Sequence, residues 1–164
     1  MKRSLMSDKY FPLYLHLTRK NILVVGAGII AQRRILTLLE FAGNITVIAP
    51  AATEKVRELS AQGRITYIEK MFEFSDLKNR DIVLASTSFP QLNDAIANKC
   101  HELGILVNCC SDYSQCDFLF PSIVEKDDLV IGITAGGNDH RKVKETRKKL
   151  EAALDISPDE SKYL

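Results

Sequence analysis

The amino-acid sequence predicts an α/β fold with a doubly wound, mostly parallel sheet. Two observations carry that expectation. Short apolar runs alternate with longer segments of helical period, as they do where parallel strands are joined by crossover helices. The first of those runs passes directly into a glycine turn, Val24-Val25-Gly26-Ala27-Gly28-Ile29-Ile30-Ala31, which opens the first helical segment.

Taken in chain order, strands are expected at Ile22–Val25, Ile45–Ile48, Ile65–Ile68, Ile82–Ala85 and Leu106–Asn108. The first helix, Ile29–Phe41, is expected to bury Ile30, Ile35, Leu36 and Leu39, to turn Gln32, Arg33 and Arg34 elsewhere, and to stop at Gly43. The next two, Ala52–Gln62 and Gln91–Leu103, run into Gly63 and Gly104, which repeats the same punctuation before an apolar strand.

Beyond Asn108 the pattern changes. Phe118–Val124 and Leu129–Thr134 follow one another across the charged turn Glu125-Lys126-Asp127-Asp128, which reads as two strands with no crossover helix. A basic helix from about His140 to Leu154 comes next. Residues 1–115 are therefore expected to form the main domain, and residues 116–164 a small segment. Two short strands and one helix bury little surface alone, so that segment is expected to pack on a second copy as a dimerisation element.

Composition narrows the function classes. A chain of 164 residues, 46% hydrophobic and 26% charged, is long enough to bury a core of its own and has the make-up of a globular protein. Lys and Arg number 22 against 21 Asp and Glu, so no broad field of one sign recruits nucleic acid or an anionic membrane surface. The longest apolar stretches fall well short of the ~20 residues that span a bilayer. Residues 1–9 are basic but lack a following apolar stretch of the secretory kind, so a cytoplasmic location is expected. The four cysteines, Cys100, Cys109, Cys110 and Cys116, are expected as free thiols.

The glycine turn carries the chemistry. In the pattern G-x-G-x-x-G/A, Gly26 permits the tight turn, Gly28 lets the backbone approach a pyrophosphate, and Ala31 leaves room for helix to pack on strand. The N–H groups of Ile29 and Ile30, at the positive end of the helix, then face the anion. A Rossmann-like domain holding a dinucleotide follows. The second strand usually ends in a carboxylate that holds the ribose; here the chain reads Ile48-Ala49-Pro50-Ala51. Ribose recognition is therefore expected from the backbone around Pro50 and Ala51, and the lack of an arginine there favours NAD over NADP. Thr87, after the fourth strand, stands where the nicotinamide end is expected, either as a contact or as a loop hydroxyl.

Several motifs in fixed order resemble the precorrin-2 dehydrogenase family, the NAD-binding module of siroheme synthesis. They are Tyr10-Phe11-Pro12-Leu13-Tyr14-Leu15, the glycine turn with Ala31-Gln32-Arg33-Arg34, Val47-Ile48-Ala49-Pro50, Asn93, Val107-Asn108, Phe118 to Val124, and Gly136-Gly137. The likeness extends from about Tyr10 to Leu154. It implies NAD-dependent oxidation of precorrin-2 to sirohydrochlorin in a homodimer, with metal insertion as an added activity in some members. The longer helical region that some members carry does not follow the basic helix, so the dehydrogenase activity alone is the leading expectation, with a bifunctional dehydrogenase/ferrochelatase as the alternative.

The resemblance also implies site residues. Removing a hydride and a proton from a polycarboxylate tetrapyrrole calls for a nicotinamide, a proton acceptor and cationic surroundings. The family places an Asp three residues after the Asn of the fifth strand; this chain reads Asn108-Cys109-Cys110-Ser111-Asp112, with Ser111 at that position. The acid/base role is therefore expected at the adjacent Asp112, whose alternative is a turn cap. Ala135 likewise stands where the family carries a hydroxyl residue. These two departures leave open a catalytically weak protein that binds the dinucleotide or the tetrapyrrole. Asn108, Gly136 and Arg141 are the expected substrate contacts, and the cluster Arg141, Lys142, Lys144, Arg147, Lys148 and Lys149 reads either as a solvated face or as a steering patch. No metal site is expected, because Cys109 and Cys110, as strand neighbours, point to opposite faces.

Overall fold

The structure is a computed structural model that describes residues 10–136 and 139–156. The chain divides into two compact units: His16–Phe120, and residues 10–15 together with 121–156. The division thus falls after Phe120 and not after residue 115, and the segment before His16 groups with the C-terminal residues.

The first unit holds five parallel strands: β1 (Ile22–Val25), β2 (Ile45–Ala49), β3 (Thr66–Glu69), β4 (Ile82–Ala85) and β5 (Leu106–Cys109), in spatial order β3-β2-β1-β4-β5. The order reverses between β1 and β4, and in open α/β sheets the crevice at the carboxyl ends of the strands flanking that point is where ligands bind. Every residue of β1, β2 and β4 is buried, because helices cover both faces of the sheet. Helices α1 (Ile29–Leu38) and α2 (Glu54–Ala61) cover the face that carries Ile22, Val24, Val47 and Leu84. Helix α3 (Pro90–Leu103) covers the opposite face, with Leu23, Val83 and Val107. Between β3 and β4 the crossover is a short 3-10 turn, Phe74–Leu77, whose Leu77 is buried in that second face.

Two helix ends follow the expected glycine rule. Gly63 and Gly104 adopt φ of +69° and +68°, and the following Arg64 and Ile105 amides donate back to the Leu59 and Cys100 carbonyls. This pairing satisfies carbonyls that the helix itself leaves free. Helix α1 departs from expectation. It buries Ala31, Ile35 and Leu38, spaced four and three apart, while Ile30 and Leu36 are exposed. Apolar residues run all round this helix, so hydrophobicity did not mark its inner face; the small Ala31, fully buried against the sheet, sets the rotation. The helix ends at Leu38, before Gly43 is reached.

The second unit is an antiparallel hairpin of β6 (Ser122–Lys126) and β7 (Leu129–Ile133) with helix α4 (His140–Ala153). Asp127, at φ +52°, makes the tight turn, so only two residues separate the strands. Phe118 and Phe120 are not strand residues; they pack on the α1 face of the first unit instead. The Tyr14 hydroxyl donates to the Val130 carbonyl at 3.2 Å, which ties the residues before His16 to β7. The cation cluster of α4 is not uniformly solvated: Arg147 is buried and pairs with Glu151 at 3.5 Å. Among the described residues no helix is long and apolar enough to cross a membrane.

Candidate functional site

At the point where the strand order reverses, the two glycines of the turn do different things. Gly26 has φ +106°, and a Cβ there would lie 2.3 Å from the Ser86 carbonyl oxygen. Only glycine lets β1 and β4 exit side by side. Gly28 caps α1 with an ordinary φ of −79°, and a Cβ there would meet nothing within 4 Å. Neither backbone strain nor internal packing asks for glycine at 28; the open space above it is the space a bound pyrophosphate needs. No side chain caps this helix end and no acidic residue stands in its first turn, so the dipole and the amides face outward unopposed. Ile29 and Ile30 flank them and are exposed, and Ala31 is fully buried behind. The residues present fit a dinucleotide.

The carboxyl end of β2 runs into Pro50 and Ala51, both exposed, with no carboxylate at the strand end. Thr53 then closes back on the turn, its amide donating to the Ala27 carbonyl at 3.1 Å.

Beyond β4, Thr87 is held by Asn93, a fully buried residue in the first turn of α3. The same amide group donates to Ser111 Oγ at 3.3 Å. Asn93 therefore clamps the loops leaving β4 and β5 together. The Thr87 hydroxyl is spent in this clamp, accepting from the Phe89 amide at 3.2 Å as well. In the sequence Asn93 is one motif position among several; the clamp depends on side chains that meet only in the fold.

Asp112 does not point a free carboxylate into this network. Its Oδ1 accepts from the Ser114 hydroxyl at 2.7 Å and the Ser114 amide at 2.8 Å, capping the 3-10 turn Tyr113–Gln115. Those bonds hold it below the ordinary carboxylate range. Ser111, exposed, contacts Cys109 Sγ at 3.3 Å and Asn93.

Asn108 is buried and both ends of its amide are engaged. Its Oδ1 accepts from Arg34 Nη1 at 2.6 Å, and its Nδ2 donates to the Phe118 carbonyl at 2.8 Å. Both ends of the Asn108 amide are thus committed within the protein, and the Arg34 guanidinium beside it also reaches Ser86 Oγ at 3.3 Å and lies over the Phe120 ring. Helical periodicity turned Arg34 away from the sheet; the structure brings it to the β4 and β5 exits instead.

All four cysteines are free, and burial raises the pKa of Cys100, Cys110 and Cys116. Among the described residues no group of three or more His, Cys, Asp or Glu side chains stands together as a metal site. Gly136, at φ +64°, and the exposed Arg141 lie in the second unit, while Gly137 falls outside the described residues.

A parallel sheet ordered 3-2-1-4-5, with a glycine turn cradled at its switch point, defines a Rossmann-like dinucleotide-binding protein. An NAD(P)-binding family model, NAD_binding_7, matches residues 13–122. The siroheme synthase of Pseudoalteromonas atlantica is 35% identical over 146 residues, which cover 89% of this chain and 32% of that protein. That of Buchnera aphidicola subsp. Acyrthosiphon pisum is 34% identical over 145 residues, 88% of this chain and 31% of that protein. The chain thus spans about a third of the length of these relatives. The solved structure of SirC, a precorrin-2 dehydrogenase, superposes with a TM-score of 0.75 at 26% identity, over 88% of this chain and 71% of that one. The chain belongs to the NAD-binding family of the precorrin-2 dehydrogenases and siroheme synthases.

Proposed function

We propose that this protein is an NAD-dependent precorrin-2 dehydrogenase, acting in the cytoplasm in siroheme synthesis. The observation that carries the reading is the open cradle above Gly28, set at the uncapped end of α1 beside the exits of β1 and β4. The family likeness supplies the substrate.

In this reading the Gly26–Ala31 turn holds the pyrophosphate through the backbone of Gly28, Ile29 and Ile30, the Pro50-Ala51 backbone adjoins the ribose, and Thr87 adjoins the nicotinamide. NAD, when bound, supplies the hydride acceptor. Precorrin-2 loses a hydride and a proton, giving sirohydrochlorin, NADH and H⁺. Asp112 is the proposed proton acceptor, an ionised carboxylate adjoining the β5 exit, with Ser111, its neighbour in sequence, as the second proposed catalytic residue. Arg141 adds positive charge suited to a polycarboxylate. Homodimer formation belongs to the reading as well, supported by exposed Phe11, Leu13 and Tyr14 in the second unit.

Incubating the protein with precorrin-2 and NAD⁺ should yield sirohydrochlorin with stoichiometric absorbance of NADH, and light scattering after gel filtration should give twice the chain mass. Tight NAD⁺ binding with no turnover would replace this reading with a second one, a dinucleotide- and tetrapyrrole-binding protein. The capped Asp112 and the serine at position 111 favour that second reading. No affinity for NAD⁺ or NADP⁺ would sink both.

A further inference from the structure

Arg34 is a half-buried cation whose charge no carboxylate answers. Among the described residues no Asp or Glu lies within ion-pair distance of it; its partners are the neutral Asn108 Oδ1 and Ser86 Oγ. Both bonds run through Nη1. Among the described residues every buried side-chain nitrogen or oxygen has a hydrogen-bond partner, so the Nε and Nη2 donors of Arg34, which have none, reach solvent. The guanidinium plane is fixed from the side by Phe120, 5.6 Å from the ring centroid. Ser86 marks where this happens: it follows β4 directly, and its carbonyl packs against Gly26. Desolvation without a counter-ion is costly unless an anion arrives.

We propose that Arg34 is an oxyanion-anchoring residue: with Nη1 pinned by Asn108 and Ser86, its remaining edge takes an anionic oxygen of a ligand bound at the carboxyl end of β4. The free guanidinium edge suits a bidentate acceptor, which two oxygens of a carboxylate or of a phosphate provide. The assignment of a tetrapyrrole carboxylate rests on the function proposed above; a dinucleotide phosphate is the other source of the same chemistry.

Two probes separate them, NAD⁺ and uroporphyrin, a stable porphyrin polycarboxylate whose binding is read from its absorbance shift. In Arg34→Met, uroporphyrin affinity should fall about tenfold or more, as the loss of a charge-assisted pair predicts. The KM for precorrin-2 should rise in parallel, kcat should hold within about threefold, and the difference from wild type should shrink in high salt. A fall in NAD⁺ affinity instead, with uroporphyrin unaffected, assigns the oxyanion to the dinucleotide and keeps the anchor. A folded Arg34→Met protein that binds both probes like wild type overturns the proposal. Should that variant not fold, Arg34→Lys decides: it keeps the charge and loses the fork, so about threefold to tenfold weaker binding of one probe is expected, and wild-type binding of both overturns the proposal. Wild-type protein that binds both probes without turning over precorrin-2 refutes the dehydrogenase reading and leaves the Arg34 result standing; wild-type protein that binds neither refutes both.

Discussion

Asn93 and Thr87 close a ring across the loop that leaves β4. The Thr87 amide and hydroxyl donate to Asn93 Oδ1 at 3.0 and 2.7 Å, and Asn93 Nδ2 donates back to the Thr87 carbonyl at 3.1 Å. Asn93 is fully buried and Thr87 half-buried, so replacing Asn93 by Ala leaves these groups without their partner. Each stranded group costs about 1–3 kcal/mol, so Asn93→Ala should lower the urea midpoint by at least that equivalent. A loss under about 0.5 kcal/mol, the usual scale of a surface change, would show that the clamp is not holding the loop.

The two turn glycines should separate stability from binding. Gly26→Ala meets a left-handed φ of +106° and a backbone oxygen 2.3 Å from the new carbon, so the fold should lose more than the about 1–3 kcal/mol of φ strain alone. Gly28→Ala meets neither obstacle and should be as stable as wild type, or more stable by up to about 1 kcal/mol. Its NAD⁺ affinity should nonetheless fall about tenfold or more, equivalent to some 1.4 kcal/mol. Calorimetric titration of the Gly28 variant with undiminished affinity would reject the cradle.

The pH dependence of turnover tests Asp112. Its bonds to Ser114 lower its pKa, so it is deprotonated and able to accept a proton throughout the neutral range. If it is the base, the acid limb of kcat/KM should lie below the ordinary aspartate value of about 4, and Asp112→Asn should abolish turnover while NAD⁺ still binds. An acid limb near pH 6–7, on the order of an unperturbed histidine, would point to another group.

Asp81 links the strand starts and should shape acid stability. The Asn21 amide donates to it at 2.8 Å and Lys20 pairs with it at 3.0 Å, and these lower its pKa in the order given. A depressed folded pKa means the contribution is complete above the unfolded value of about 4 and is lost as pH falls through the folded one. Asp81→Asn should therefore be less stable than wild type at pH 7, with the gap closing in denaturant melts below about pH 4. A gap that stayed constant with pH would remove the carboxylate from the account.

Cys100 should be the silent thiol. It is fully buried on α3, and burial raises its pKa to about 12, so it offers almost no thiolate at neutral pH. Iodoacetamide at pH 8 should label the half-buried Cys110 and Cys116 of the native protein well before Cys100, as peptide mapping would show. Equal labelling of Cys100 would mean that α3 opens readily.

Much of the first unit was legible because its signals are local. A run such as Ile22–Val25 has no polar face to dispute its burial, and Gly63 and Gly104 stand where a left-handed residue ends a helix, so strand and cap positions agree within a residue or two. The G-x-G-x-x-A turn likewise combines strand, turn and helix within a dozen residues. Helix α1 was harder: with Ile29, Ile30, Ile35, Leu36, Leu38 and Leu39 all apolar, periodicity could not say which side faced the sheet, and Arg34 was turned the wrong way in consequence.

What the sequence determined by itself is the alternation of strand and helix, the glycine turn and the family. The tertiary structure decided which polar groups meet. Arg34, Asn108 and Ser86 are separated by 74 and 52 positions from Arg34 outward, and Asn93 reaches Ser111 across 18. Such contacts arise because parallel pairing brings the exits of β1, β4 and β5 to one edge, and side-chain chemistry at that edge depends on rotation and register that local patterns do not encode.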